Sequence, residues 1–316
     1  MLREAQVVSR APSKGGAHSF PAGDSPRADS AFTKRLGPAM TFDEKIEQAA
    51  QWVREADGLL ITAGAGMGVD SGLPDFRGPE GFWRAYPVLA HEKLSFEEMA
   101  NPSQFSSDPT RAWGFYGHRL GLYRETLPHE GFAILRRWGQ QMEQGAFVFT
   151  SNVDGQFQKG GFPPPRVAEV HGTIHALQCA LPCQQTAWPA DAFVPQVDPN
   201  MGRLTNELPR CPHCGRMARP NILMFWDSAW VEKYSEVQLS RLNAWLPAPT
   251  RKVVVELGAG KALPTVRRFS ERNGPRVIRI NPREEAIDPK FGIGIAGGAL
   301  EVLAAIDAKV KSPDLG

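Results

Sequence analysis

Residues 59–66 read Leu59-Leu60-Ile61-Thr62-Ala63-Gly64-Ala65-Gly66. A short apolar run that passes straight into glycines fits a buried strand feeding a tight turn. Upstream, Phe42, Ile46, Ala49, Ala50 and Val53 recur at helical spacing behind a Thr41 N-cap, and Asp57-Gly58 ends that helix. Downstream, a helix over about 131–143 leads into a second apolar run, Ala146-Phe147-Val148-Phe149-Thr150. The alternation returns late in the chain. Val253-Val254-Val255-Glu256-Leu257 enters Gly258-Ala259-Gly260, and a helix comes after it. Arg276-Val277-Ile278-Arg279-Ile280 is next, then a last helix near 298–310. Strands alternating with helices predict a doubly wound, Rossmann-like α/β fold, its parallel sheet covered on both faces. In such sheets ligands bind beyond the carboxyl ends of the strands, so the turns at Gly64 and Gly258 are expected to face one cleft.

The chain has 316 residues, enough for two domains or for one large domain with an insertion. Hydrophobic residues at 42% and charged residues at 22% exclude a wholly disordered chain and a fibrous rod. Lys and Arg number 36 against 34 Asp and Glu, a formal +2, so nothing asks for nucleic acid or an anionic membrane as partner. No apolar run approaches the roughly 20 residues of a bilayer-spanning helix. Residues 1–40 are rich in Ser, Ala, Gly, Pro and Arg and contain no apolar signal core. They read as a disordered tail or as the product of an upstream start, with Met40 the true beginning. A cytoplasmic location is expected, and the oligomeric state is left open.

Residues 78–128 look mostly helical, cut by Pro87, Pro102 and Pro109. From Gln178 to Pro220 there are many prolines, all four cysteines and no clear period. The resulting division is an α/β domain over 41–171 and 221–310, with a module over 172–220 inserted without a core of its own. Cys179-x3-Cys183 and Cys211-x2-Cys214 place four thiolates within tetrahedral reach of one Zn²⁺, and Gly215 lets the second knuckle turn back beneath it. Four protein ligands make a closed, structural site, remote from chemistry, with His213 a bystander. Two disulfides or four buried thiols fit less well without secretory features.

Taken alone, the Gly64 turn suits an ordinary strand-to-helix junction as well as a pyrophosphate cradle. The longer stretch is more specific: Gly64-Ala65-Gly66-Met67-Gly68-Val69-Asp70-Ser71-Gly72-Leu73-Pro74-Asp75-Phe76-Arg77. It resembles the G-A-G-x-S-x-x-S-G-I-P-D-F-R signature of the sirtuins, the NAD-dependent protein-lysine deacylases. Further segments occur in family order. Thr150-Ser151-Asn152-Val153-Asp154 resembles T-Q-N-I-D, and Val170-His171-Gly172 resembles the segment carrying the catalytic base. Arg219-Pro220-Asn221-Ile222-Leu223-Met224-Phe225 resembles R-P-x-V-V-x-F. The similarity spans roughly residues 41–310.

The resemblance implies roles. Gly64, Ala65 and Gly66 cradle the pyrophosphate of NAD. Asp75, Phe76 and Arg77 belong to the cofactor loop, with Phe76 over the nicotinamide site. Asn152, near the nicotinamide ribose, counts with the catalytic residues, Ser151 belongs to the cofactor site, and Asp154 takes the carboxamide. Gly258, Ala259, Gly260 and Asn281 meet the adenosine half. His171 is the general base, and an imidazole near its free pKa suits that task at neutral pH. It takes a proton from a ribose hydroxyl, and the acyl group leaves lysine as O-acyl-ADP-ribose beside free nicotinamide. The partner is then an acyl-lysine protein or peptide, with Phe225 and Trp226 in its groove. An ADP-ribosyltransferase or NAD glycohydrolase on the same scaffold is the alternative.

Several positions depart from the pattern: Gly68 for serine, Ser151 for glutamine, Phe157 for histidine, Phe225-Trp226-Asp227 for F-G-E, and Gly258-Ala259-Gly260 for G-T-S. Cofactor affinity and substrate class are where these changes bear. Trp113-Gly114-Phe115-Tyr116-Gly117-His118-Arg119 resembles the W-x-F-Y-x-x-R stretch of members that accept acidic acyl groups. Tyr116 and Arg119, three apart on one helical face, are suited to a succinyl or malonyl carboxylate. Gly114 and Gly117 are expected to weaken that helix locally.

Overall fold

In the computed structural model, which describes residues 40–75, 87 and 94–312, the run from Leu59 lies near the middle of a six-stranded parallel sheet. Its strands, numbered within this sheet, are β1 (Gly58–Ala63), β2 (Ala146–Thr150), β3 (Val167–Glu169), β4 (Lys252–Leu257), β5 (Val277–Ile280) and β6 (Gly292–Ile295). The spatial order is β6-β5-β4-β1-β2-β3, and every neighbouring pair is parallel. This is the doubly wound order, reversing direction between β1 and β4.

Side-chain alternation explains why helices cover both faces. Leu59 and Ile61, with Val253 and Val255, face a cluster containing Ile46, Leu135, Trp138 and Leu303. These come from the helices Phe42–Glu55, Glu130–Gln141 and Ala299–Lys311. Leu60 and Val254 point the other way, against Leu239, Leu242 and Phe269 of the helices Lys233–Trp245 and Thr265–Arg272. The Thr41 cap is a full capping box with Glu44. One polar register crosses the core: Arg279 on β5 lies opposite Glu256 on β4 and bonds both its carboxylate oxygens at 2.6 and 2.9 Å.

The chain leaves this sheet twice, after β1 and after β3, to build a second layer. Its parts are the helices Phe96–Met99, Gln104–Ser107 and Pro109–Glu125 and a three-stranded antiparallel sheet, Ala187–Pro189, Gly172–Cys179 and Ala218–Ile222. They share one core: Phe105, Trp113, Tyr116 and Leu120 pack with Ile174, Leu177, Ala218 and Met224. The Trp113 indole N–H donates to the Ala218 carbonyl at 3.0 Å.

The Pro109–Glu125 helix runs unbroken through Gly114 and Gly117. A Cβ at Gly114 would stand 1.9 Å from the Gly202 carbonyl oxygen, and one at Gly117 2.8 Å from Pro195. The glycines let the hairpin Val197–Asp198/Arg203–Leu204 lie directly on the helix. Arg203 then locks it, bonding both carboxylate oxygens of Asp108, the residue that caps the helix.

Candidate active site

The two glycine turns meet where the strand order reverses. The Gly64 N–H donates to Leu257 O at 2.9 Å and the Gly66 N–H to Gly258 O at 3.1 Å. Gly258 holds φ +58°, and a Cβ there would lie 2.4 Å from the backbone of Gly66. No residue but glycine fits this contact. A cleft opens above it, walled by Gly66, Gly258, Ile280, Arg283, Gly297 and Gly298. The glycines in its wall, Gly66, Gly258, Gly297 and Gly298, let backbone approach a ligand closely, as a pyrophosphate requires. Asp75 stands at the rim, 3.6 Å from Arg283. Phe76 and Arg77 lie outside the described residues.

Two buried side chains brace the second turn from beneath. Asn281 donates to Ala259 O at 3.0 Å and accepts from the N–H groups of Arg283 and Glu284. Arg267 donates to the same Ala259 carbonyl at 3.1 Å and to the Glu284 carbonyl. Asn281 thus shapes the loop around the cleft. Nothing in the sequence singles out Arg267, which reads as one of several exposed helix charges. A Cβ at Gly260 would meet only the Glu284 carboxylate, at 3.9 Å.

The ends of β2 and β3 bring the polar residues to the same edge. Thr150 Oγ1 donates to Ala63 O at 3.1 Å and accepts from the Asn152 N–H at 3.0 Å. The Ser151 N–H donates to Ala63 O, and the Asn152 amide to Gly64 O at 3.0 Å. Asp154 is buried, its Oδ1 accepting from the Gln156 N–H at 2.9 Å. Burial pushes its carboxyl up to about 6, opposed by that hydrogen bond and by the charge of Arg119. His175, which no motif marks out, donates to Asp154 O at 2.9 Å and packs against Gly155.

His171 stands two residues beyond the end of β3. Its carbonyl accepts from the Leu223 N–H at 2.9 Å. Gly172 sits at φ +75°, with the Asn221 carbonyl oxygen 2.0 Å from where a Cβ would be. The turn that aims the histidine therefore requires glycine. Burial pushes the imidazole down to about 4, while a hydrogen bond with the backbone of Ser151 works the other way. His171 is thus neutral at pH 7, with a lone pair able to accept a proton. Glu169, at the end of β3, is pushed up to about 7 by burial despite a hydrogen bond from Gln238.

On the Pro109–Glu125 helix Tyr116 and Arg119 are both buried. Tyr116 stacks on Phe105, and burial lifts its hydroxyl to about 12. The Arg119 guanidinium lies 5.9 Å from the Tyr116 ring. Phe225 donates its N–H to Ala100 O and meets Phe96 edge-on. Trp226 is 54% exposed and takes φ +56°, the left-handed region that costs a bulky residue about 1–3 kcal/mol. Its neighbour Asp227 is pinned in a buried ion pair with Arg219 at 2.8 Å.

Two departures from the resemblance also find their places. Phe157 is buried between Phe132 and Phe162, a core residue instead of a cleft residue. Gly68 is buried, with the Leu73 side chain 3.1 Å from a notional Cβ.

Cys179, Cys183, Cys211 and Cys214 carry free thiols, and all four sulfurs lie within 4.8 Å of one another. The Cys179–Cys214 and Cys183–Cys211 separations are both 3.6 Å. Sulfurs about 2.3 Å from a tetrahedral zinc stand roughly 3.8 Å apart, so the set fits one structural zinc. Gly215, at φ +69°, returns its N–H to Cys211 O and forms the expected knuckle.

The model of the family described as Sir2 family matches residues 64–244, more than half of the chain. The NAD-dependent protein deacylase of Pyrococcus furiosus is 30% identical over 255 residues, covering 80% of this chain and 92% of that protein. The Aquifex aeolicus protein of the same name is 29% identical over 231 residues, covering 72% and 85%. A solved Sir2 homolog–NAD complex shares the fold, with a TM-score of 0.64 at 22% identity over 84% of this chain and 94% of that one. The match takes in the Gly64 turn, the Asn152–Asp154 segment, His171 and the cysteine cluster together: this chain belongs to the Sir2 family.

Proposed function

We propose that the chain removes acyl groups from protein lysines at the expense of NAD. One observation carries this reading: half-buried His171 follows the carboxyl end of β3, at the same edge of the sheet as the cleft between the two glycine turns. Relatives named NAD-dependent protein deacylases, aligned over most of both chains, support it.

NAD, when bound, supplies the ribose that accepts the acyl group and nicotinamide as leaving group. The chain's residues supply position, water exclusion and one base. The turns Gly64–Gly66 and Gly258–Gly260 hold the phosphate and adenosine parts, with Asn281 setting the shape of the second. Asp154 accepts the nicotinamide carboxamide. Asn152 and Ser151 line the ribose side. His171 takes a proton from a ribose hydroxyl; burial keeps it unprotonated above about pH 5 and makes it a weaker base than the free imidazole expected from the sequence. Asp75 stands at the rim of the cofactor cleft, and Phe225 and Trp226 are assigned to the groove for the peptide. The zinc holds the Cys179–Cys214 module together and takes no part in the chemistry. Residues 41–171 and 221–310 serve as the NAD-binding domain, with 172–220 as the zinc module.

Tyr116 and Arg119 favour acceptance of acidic acyl groups beside acetyl. Four cysteines gathered for one metal, none of them in a disulfide, suit a reducing, cytoplasmic setting. Among the described residues no helix is long and apolar enough to cross a membrane. Release of nicotinamide from NAD tests the activity: it must depend on an acyl-lysine peptide. Equal release without peptide points to the glycohydrolase alternative.

A further inference from the structure

Tyr116, Arg119 and Tyr123 occupy i, i+3 and i+7 of the Pro109–Glu125 helix, one continuous stripe. Tyr123 is 4% exposed and Arg119 7%. The Tyr123 hydroxyl oxygen accepts two hydrogen bonds from Arg119, from Nε at 3.1 Å and Nη2 at 2.8 Å. The guanidinium is flanked by three rings, its centre 5.2 Å from that of Phe115, 5.9 Å from Tyr116 and 5.4 Å from Tyr123.

A buried guanidinium is a flexible group on a long stem, and its use as a carboxylate fork depends on a fixed plane. Two donors converging on one oxygen set that plane. The acceptor is a neutral phenol, because burial keeps the Tyr123 hydroxyl protonated. It orients the cation without cancelling its charge, and a carboxylate in its place would compete with any anionic ligand. Among the described residues, charged or titratable groups coupled to this stripe include Asp154 and His118, which feel Arg119, and the Arg219–Asp227 pair, which acts on Tyr116. Asp227 is already engaged by Arg219.

We propose that Tyr123 is a positioning residue for acyl-group selectivity. Its hydroxyl fixes the Arg119 fork to meet the terminal carboxylate of a succinyl- or malonyl-lysine. This rests on the reading that Arg119 serves the acyl group. Tyr123 touches Arg119 and acts through it.

The test uses the full chain and two peptides of one sequence, bearing acetyl- or succinyl-lysine. Tyr123→Phe keeps the ring and removes the acceptor. The ratio of kcat/KM for succinyl over acetyl peptide is expected to fall roughly tenfold, mostly through the succinyl KM. In an Arg119→Met background the same change should leave that ratio where Arg119→Met put it. An equal loss on both peptides, or a further fall in that background, makes Tyr123 merely structural and overturns the proposal. If Arg119→Met removes desuccinylation while Tyr123→Phe leaves the ratio unchanged, the proposal fails and the acidic-acyl reading stands. Absence of succinyl activity in the parent removes both. A melting curve for each variant separates loss of fold from loss of selectivity.

Discussion

The side-chain amide of Asn152 donates to the carbonyl oxygen of Gly64 at 3.0 Å, tying the end of β2 to the turn after β1. The bond couples two motifs 88 residues apart in the chain. It also fixes the half-buried Asn152 side chain against the Gly64 turn. Asn152→Ala removes the tie and leaves the buried Gly64 carbonyl with the Met67 N–H as its donor. The stability cost should stay near about 1 kcal/mol, the worth of an ordinary hydrogen bond. Turnover should fall far more, at least about tenfold, because the turn and the ribose side lose their common reference. Steady-state kinetics beside a denaturant melt measures both; a stability loss that accounts for the whole activity loss refutes the role.

His171 should titrate well below a free imidazole. Burial lowers its folded pKa, so its contribution to stability is present above the unfolded value near 6.5 and is lost as pH falls through about 4. Proton NMR of the ligand-free chain, with His171→Ala to assign the resonance, should place its midpoint below about 5. A midpoint near 6.5 contradicts the burial argument. The same variant should lose about 10²–10⁴-fold in deacylation, as expected for a missing general base.

Glu169 gives a pH effect of the opposite sign. Its folded pKa is raised to about 7, so the stability it contributes is full below the unfolded value near 4.3 and is lost as pH rises through 7. Glu169→Gln keeps the shape and removes the ionisation. It should raise the melting temperature at pH 8 relative to the parent more than at pH 5. A larger gain at pH 5 would reverse the assigned sign.

One zinc per chain is expected by elemental analysis. Cys211→Ser should lower zinc content and melting temperature together, because binding the metal and folding the module are one equilibrium. Fully reduced, metal-free protein with an unchanged melting curve would refute a structural zinc.

Most of the main sheet is legible in the sequence because its strands carry long apolar runs on both faces. Val253-Val254-Val255 cannot be hidden any other way than between two helical layers. The edge strands escape such a reading. β3 has only three residues after prolines, and β6 reads Gly-Ile-Gly-Ile. Gly292 is there because a Cβ would lie 1.9 Å from the Val277 carbonyl oxygen, a constraint invisible to periodicity. The helix Lys233–Trp245 escapes it too, although Leu239, Leu242 and Trp245 mark its buried side. In the site, Gly64, Ser151, Asn152, His171 and Gly258 follow the carboxyl ends of their strands. Those that support them from below do not announce themselves. Arg267, His175 and Tyr123 act through carbonyls or through another side chain, and their partners lie far apart in sequence or one helical turn away. No spacing rule finds a hydrogen bond to a backbone carbonyl in a different loop.

The most direct test is mass spectrometry of all products from NAD and a mixed panel of acetyl-, succinyl- and longer-acyl-lysine peptides. Deacylation predicts nicotinamide, deacylated peptide and O-acyl-ADP-ribose in equal amounts, all three lost together in His171→Ala. Free ADP-ribose with the peptides still acylated, or ADP-ribose attached to protein, would contradict it.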